Sequence, residues 1–99
     1  MTYATIRQAI LDRCCLSATY QGSTRHFAPH ALGQSNSGET NVMAFQYAGS
    51  SAKGLPPGGQ WRCYRISELS GVRRNDDSWH SAPDHERPNT CVTLVDVRV

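Results

Sequence analysis

Arginine and aromatic residues crowd one short stretch of this 99-residue sequence, Trp61-Arg62-Cys63-Tyr64-Arg65. A guanidinium presents a planar fork of N–H donors that grips phosphate or carboxylate with parallel bonds, and an aromatic face gives a base something to stack on. Arg25 and Tyr20 add groups of the same two kinds upstream. Arg25, Arg62, Arg65, Tyr20, Trp61 and Tyr64 therefore form the strongest candidate site, suited to an anion such as a nucleotide or single-stranded nucleic acid. Strict alternation along an extended chain divides them: Trp61, Cys63 and Arg65 share one face, and Arg62, Tyr64 and Ile66 the other. All six do not converge. In the plainer alternative, Tyr20, Tyr64 and Trp61 are core residues and the arginines are solvated or ion-paired.

Other chemistry is less well supported. His26 and His30 stand four apart, on one face of a strand, with His80 and His85 further on, a set that a metal could use. No Cys-x2-Cys pair accompanies them and the adjacent Cys14 and Cys15 chelate poorly, so no metal site is expected. Cysteines, serines and histidines are present, but no nucleophile elbow or family signature frames any of them, and the chain reads as a binding protein rather than an enzyme, without a cofactor. Gly54-Leu55-Pro56-Pro57-Gly58-Gly59 lacks the Lys-Ser/Thr of a phosphate-binding loop and the spaced glycines of a dinucleotide fingerprint. Asp76-Asp77 and Asp84-x-Glu86 fall in a polar stretch where solvent accounts for them.

The formal charge is only +2, but its distribution is uneven: residues 1 to 67 hold six basic side chains against two acidic ones, and residues 68 to 99 hold four against six. The front two-thirds carries the positive field. Nine of the ten basic residues are arginine, although a compositional bias of the genome would produce the same count. With 38% hydrophobic and 18% charged residues, the chain can bury one core and is not disordered throughout; its length suits a single domain over residues 1–99. No basic stretch leads into an apolar run at the N-terminus, and no 18 apolar residues occur in succession, so a cytoplasmic protein with no membrane partner is expected. Its four cysteines are then expected to be reduced, buried thiols.

The elements that must carry these residues follow from periodicity. Ile6, Ala9 and Ile10 recur at helical spacing between Tyr3 and Arg13, with Thr5 and Gln8, or Thr2, able to cap the start. Cys14 to Tyr20 alternates as a strand; Gln21-Gly22-Ser23 turns; Thr24 to Leu32 returns with Arg25, Phe27, Pro29 and Ala31 on one face and His26, Ala28, His30 and Leu32 on the other. Pro29 bends this strand or places it at an edge. Gly33 to Glu39 is a turn, Thr40 to Tyr47 a third strand apolar on both faces, and residues 48–60 a mobile loop. Gln60 to Ile66 is a fourth strand, ended by a helical turn that buries Ile66 and Leu69, with Val72 resuming an extended path. Residues 73–90 are a polar, flexible connection, and Cys91 to Val99 a β-branched fifth strand. One helix and about five strands without a βαβ rhythm predict a mainly β fold, a small bent antiparallel sheet or barrel.

The order of these features resembles the WYL domain. The residues that carry the likeness are Ala9-Ile10, Tyr20, Arg25 four residues before Pro29-His30, Leu32-Gly33, Val42-Met43-Ala44-Phe45 and Trp61 through Leu69, over residues 4 to about 72. The resemblance implies an SH3-like or Sm-like barrel that senses nucleotide or nucleic-acid ligands, usually beside a DNA-binding helix-turn-helix in transcription regulators. It singles out Arg65, with Arg25 and Arg62 as further anion contacts, Trp61, Tyr64 or Tyr20 as the stacking surface, and His30 in the same ligand set. The chain departs from the pattern in two places. The naming triplet would fall at Thr40-Asn41-Val42, and Ser67 and Glu68 stand where an aspartate and a second arginine are expected, a local change of about two charges. A helix-turn-helix is absent, so a DNA-binding partner would be a separate chain. The expected function is a stand-alone ligand-sensing module. Its alternative is an interaction subunit that forms a homodimer or pairs with another protein through strand 91–99.

Overall fold

The computed structural model describes residues 2–50, 55, 58–80 and 91–99. The helix α1 spans Thr2–Asp12 and buries Ile6, Ala9 and Ile10, the three residues whose spacing predicts it. It stops where Arg13 adopts a left-handed φ of 52°. There Arg13 N–H donates to the Ile10 carbonyl and Cys14 N–H to the Ala9 carbonyl, the paired bonds that satisfy a helix C-terminus. Next come β1 (Leu16–Tyr20) and β2 (Ser23–Gln34). They are joined by Gln21 and Gly22, both at positive φ, the tight turn whose twist matches that of the flanking strands.

β2 is the central strand. β3 (Thr40–Gly49) pairs along one edge of it. Its other edge is shared: β1 takes Ser23 to Phe27, and the C-terminal strand β6 (Leu94–Arg98) takes Ala31 to Gln34. Pro29 sits at the changeover, where neither neighbour asks it for the N–H it lacks. A register shift between Pro29 and Ala31 also reverses the alternation that the sequence suggests. Ala31 joins the outer apolar cluster and Leu32 the inner one, because an extra residue in one strand turns every later side chain over.

β4 (Gln60–Arg65) pairs with β3, and a 3-10 turn over Ile66–Glu68 carries the chain to β5 (Leu69–Arg74), which pairs with β1. The sheet order is β4-β3-β2-β1-β5 with β6 on β2. The fold is thus mainly β: among the described residues, six antiparallel strands form an open sheet with one N-terminal helix, rather than a closed barrel of five. The ends stay apart because the link between β4 and β5 is the turn itself and not a ladder of backbone bonds.

The sheet has two apolar sides. Inside, Leu16, Phe27, Leu32, Val42, Tyr64, Leu69 and Val97 pack against Ile6 and Ile10 of α1. Outside, Ala31, Met43, Phe45 and Trp61 form a second cluster with Cys63, Cys91 and Val92. Residues 75–80, expected to be loose, lie across this outer face: Trp79 tilts on His30, His80 stacks on Tyr47 at 4.0 Å, and the Cys15 thiol donates to the Ser78 carbonyl at 3.3 Å. Arg73 and Arg74 belong to β5, and Ala48 and Gly49 to β3. Residues 51–54, 56–57 and 81–90 of the two expected loops, with His85, Asp84 and Glu86, lie outside the described residues.

Cys63 and Cys91 form a disulfide, while Cys14 and Cys15 are free thiols. This corrects the expectation of four reduced cysteines. Alternation points Cys63 out of the sheet, and the approach to β6 lays Cys91 over it, steadied by a 2.9 Å bond from the Asn41 amide to the Cys91 carbonyl. The last strand accordingly begins at Leu94, not Cys91. It runs so close to β2 that a Cβ on Gly33 would lie 2.0 Å from the Leu94 carbonyl oxygen. No helix among the described residues is long and apolar enough to cross a membrane.

Candidate functional site

Arg25 lies on the inner face of β2, opposite Ala18 of β1 and Gly49 of β3. It is only 4% exposed. Its guanidinium carbon stands 5.2 Å from the centre of the Tyr20 ring, near enough for attraction between cation and ring face. Tyr20 meets Tyr64 edge-on at 4.8 Å, and Tyr64 packs against Phe27 at 4.9 Å. The Tyr64 hydroxyl donates to Gln46 Oε1 at 2.9 Å, and the Gln46 amide donates to the carbonyls of Ala48 and Ser50. Tyr64 and Gln46 are fully enclosed. Burial pushes the Tyr64 hydroxyl well above the ordinary phenol range, and the charges of Arg25 and of Arg62, two residues before Tyr64 on the same face of β4, pull the other way, together with a side-chain hydrogen bond to Arg25.

No carboxylate among the described residues neutralises the two arginines. Among the described residues neither takes part in an ion pair, and the Nε of each is buried without a hydrogen-bond partner. The segment joining β3 to β4, residues 50–59, contains no acidic residue. A buried cation without a counter-charge costs several kcal/mol, which makes such an arrangement unusual unless something else supplies the charge. Tyr20, Arg25, Arg62 and Tyr64 are thus brought together from the expected set, and Gln46 is the member that sequence reasoning missed. A glutamine inside a strand otherwise apolar on both faces, Val42 to Tyr47, was the signal for it.

Arg65, the expected centre, is elsewhere. It is half exposed and bridges Glu39 at 3.0 Å and Glu68 at 3.4 Å. The cavity beside it, about 360 Å³, has Arg65, Glu39 and Glu68 in its wall, one cation against two carboxylates. An anion gains nothing there. Trp61 and His30 lie on the opposite face from Arg25. Trp61 is buried against Phe45 and His30, and His30 is enclosed between Trp61 and Trp79, with Nδ1 bonded to the Ala28 carbonyl at 2.8 Å. The expectation that Trp61 or Tyr64 offers an exposed ring to a base is corrected: each fills one of the two apolar clusters.

A second polar network crosses the outer face. Ser17 Oγ meets His26 Nδ1 at 2.7 Å and accepts from the Asn75 amide at 2.9 Å, and Tyr47 donates to Asp77 at 2.5 Å. Burial first, then the bond to Asp77, raises the Tyr47 hydroxyl above its usual range. Ser17 is itself buried, so the pair anchors residues 75–80 instead of presenting a nucleophile. Among the described residues no three His, Cys, Asp or Glu side chains gather closely enough to hold a metal ion. No family model, curated protein or solved structure matches this chain.

Proposed function

We propose that this protein is a ligand-binding module for a small anion, a free phosphate or the phosphate of a nucleotide, held by Arg25 and Arg62 beside Tyr64 and Gln46. The observation that carries the reading is the pair of arginines on Tyr64, one of them 96% buried by its 4% exposure, without a carboxylate among the described residues. Base stacking on Tyr64 forms no part of it, since that ring is enclosed. The likeness to an SH3-like, WYL-type sensor is supported by the meander of β1 to β4 and by the single 3-10 turn that sends β5 back to β1. A cytoplasmic, regulatory role belongs to the same proposal.

The test is calorimetric titration with inorganic phosphate, a nucleoside monophosphate and a short oligonucleotide at low and moderate salt. Binding of the first two is expected to disappear in Arg25→Met and Arg62→Met and to survive Arg65→Ala. Loss only in Arg65→Ala, or no binding of any anion at low salt, would refute the assignment.

A second reading rests on a different observation. Leu94 and Val95 of β6 are 69% and 47% exposed and line a cleft of about 270 Å³ with Tyr3 and Asp96, a surface on which a partner chain could pair. Light scattering on the intact protein and on Leu94→Ser/Val95→Ser tests it: a dimer dispersed by the substitutions supports it, and a monomer at high concentration removes it.

A further inference from the structure

The C-terminal strand is attached by little of its own. Of Leu94–Arg98 only Val97 is buried. Asp96 accepts from Tyr3 Oη and Arg7 Nε, but all three groups are at the surface. Backbone bonds hold the two ends of the strand, from Thr93 N–H to the Gln34 carbonyl and from Val99 N–H to the His30 carbonyl. The approach to β6 is held by the Asn41 amide on the Cys91 carbonyl, by the Thr93 hydroxyl on the Gln34 carbonyl and Asn36, and covalently by Cys91, tied through its sulfur to Cys63 of β4. In sequence, 19 residues separate the end of β5 from the start of β6, of which 75–80 are held on the outer face.

The anchor can be reached from solvent. Cys63 and Cys91 are each only partly buried, and Cys63 lines the cavity that opens beside Arg65. Exposed disulfides are the labile ones, and in a reducing compartment a protein disulfide is usually one that forms and breaks.

We infer that the Cys63–Cys91 disulfide is a redox latch: closed, it holds β6 on the second half of the β2 edge, and opened by a dithiol reductant it releases residues 91–99. A thiolate of the reductant attacks one sulfur and breaks the S–S bond, leaving a mixed disulfide and one cysteine thiolate, which takes up a proton. The second thiol of the reductant then resolves the mixed disulfide. Two electrons and two protons pass to Cys63 and Cys91, and the reductant leaves as its own disulfide. Opening bares the backbone of Ala31 to Gln34, which β1 does not cover because its pairing ends at Phe27. It also removes Val97 from the inner cluster and Asp96 from α1. The pairings among β1, β2, β3, β4 and β5 do not involve residues 91–99 and persist.

Hydrogen exchange by mass spectrometry tests the latch on the whole chain, oxidised and treated with dithiothreitol, with alkylation to count thiols. The count should rise from two to four, amides of 93–99 and 30–34 should exchange at least tenfold faster, and peptides of β1 and β5 should be unchanged. Cys63→Ser/Cys91→Ser should show the open pattern without reductant. Four thiols in the air-oxidised protein would overturn the inference. So would unchanged exchange in 93–99 after the count has risen, or faster exchange throughout β1 and β5, which would make the bond a staple of the entire domain. None of these readings depends on anion binding, so the latch and the arginine site can fail separately.

Discussion

Replacing Arg25 with methionine removes the charge while keeping an unbranched stem, and the direction of the stability change separates a binding residue from a structural one. Desolvating the guanidinium costs several kcal/mol even after relaxation, with no carboxylate among the described residues to offset it. Attraction to the Tyr20 ring returns up to about 2 kcal/mol and the approach to Tyr64 about 1 kcal/mol. Methionine preserves most of the apolar packing of the stem. The balance favours methionine by about 1 kcal/mol, which for a domain of this size raises the melting temperature by about 4–8 °C. Truncating an ordinary buried side chain goes the other way, by about 2–5 kcal/mol. Thermal denaturation followed by circular dichroism, with and without phosphate, reads both signs. Arg25→Met should melt higher than the parent without phosphate and gain nothing from it, while the parent gains about 2.7 kcal/mol at a hundredfold excess over Kd. A fall in melting temperature comparable to a core truncation would refute the reasoning, for it would mean that the folded chain already satisfies Arg25.

Three further outcomes follow from the packing. Tyr64→Phe leaves the Gln46 carbonyl oxygen enclosed without its donor, and urea denaturation should show a loss of about 1–3 kcal/mol. Gly33→Ala puts a methyl group against the Leu94 carbonyl, so β6 must move away. A loss of about 1–3 kcal/mol, with faster exchange confined to residues 93–99, is expected, and unchanged exchange there would count against the close approach. The pH dependence is two-sided, because Asp96 is held below the usual carboxylate range by the Tyr3 hydroxyl and then Arg7, and Tyr3 is held above the usual phenol range by Asp96. The Asp96 contribution is present above its unfolded pKa near 4 and is lost as pH falls through the lower folded value. The Tyr3 contribution is present below its unfolded pKa near 10 and is lost as pH rises through the higher folded value. Asp96→Asn should flatten both limbs of a melting temperature profile run from pH 2 to 11.

The parts of the fold that could be read from the sequence are those set by neighbours in the chain. Ile6, Ala9 and Ile10 mark the helix and Gln21-Gly22 the first turn, and Ile66 with Leu69 signals a helical turn, because each depends on a few adjacent residues. β5 was partly visible: Val72 pointed to an extended path, but Ser70, Gly71, Arg73 and Arg74 make no apolar rhythm, and the strand takes its length from the free edge of β1, which accepts its backbone. The bulge after Pro29 was half visible. Proline announced a bend, but which side Ala31 and Leu32 face depends on β3 and β6, which arrive from elsewhere. The Cys63–Cys91 bond belongs to the same class, since nothing in a separation of 28 residues says that the two sulfurs meet.

The arginines show why residue type alone misplaces a site. Arg65 lies in the most conspicuous stretch, yet Glu68 three residues later can reach back across a single turn, and that pair could have been read from the spacing. Arg25 looked ordinary between Thr24 and His26. It becomes distinctive only because β3 crosses it at Gly49, whose φ is 95° and where a Cβ would lie 2.8 Å from the Arg25 Cα. A bare backbone there lets β3 close on the backbone of Thr24 and Arg25. Elsewhere among the described residues Arg7 pairs with Asp96, Arg74 with Asp12, and Arg65 with Glu39 and Glu68, all at the surface. Arg25 is enclosed beside the Tyr20 ring and Tyr64 with no carboxylate among the described residues to balance it, and charges held on such terms concentrate where a fold gives up stability for binding.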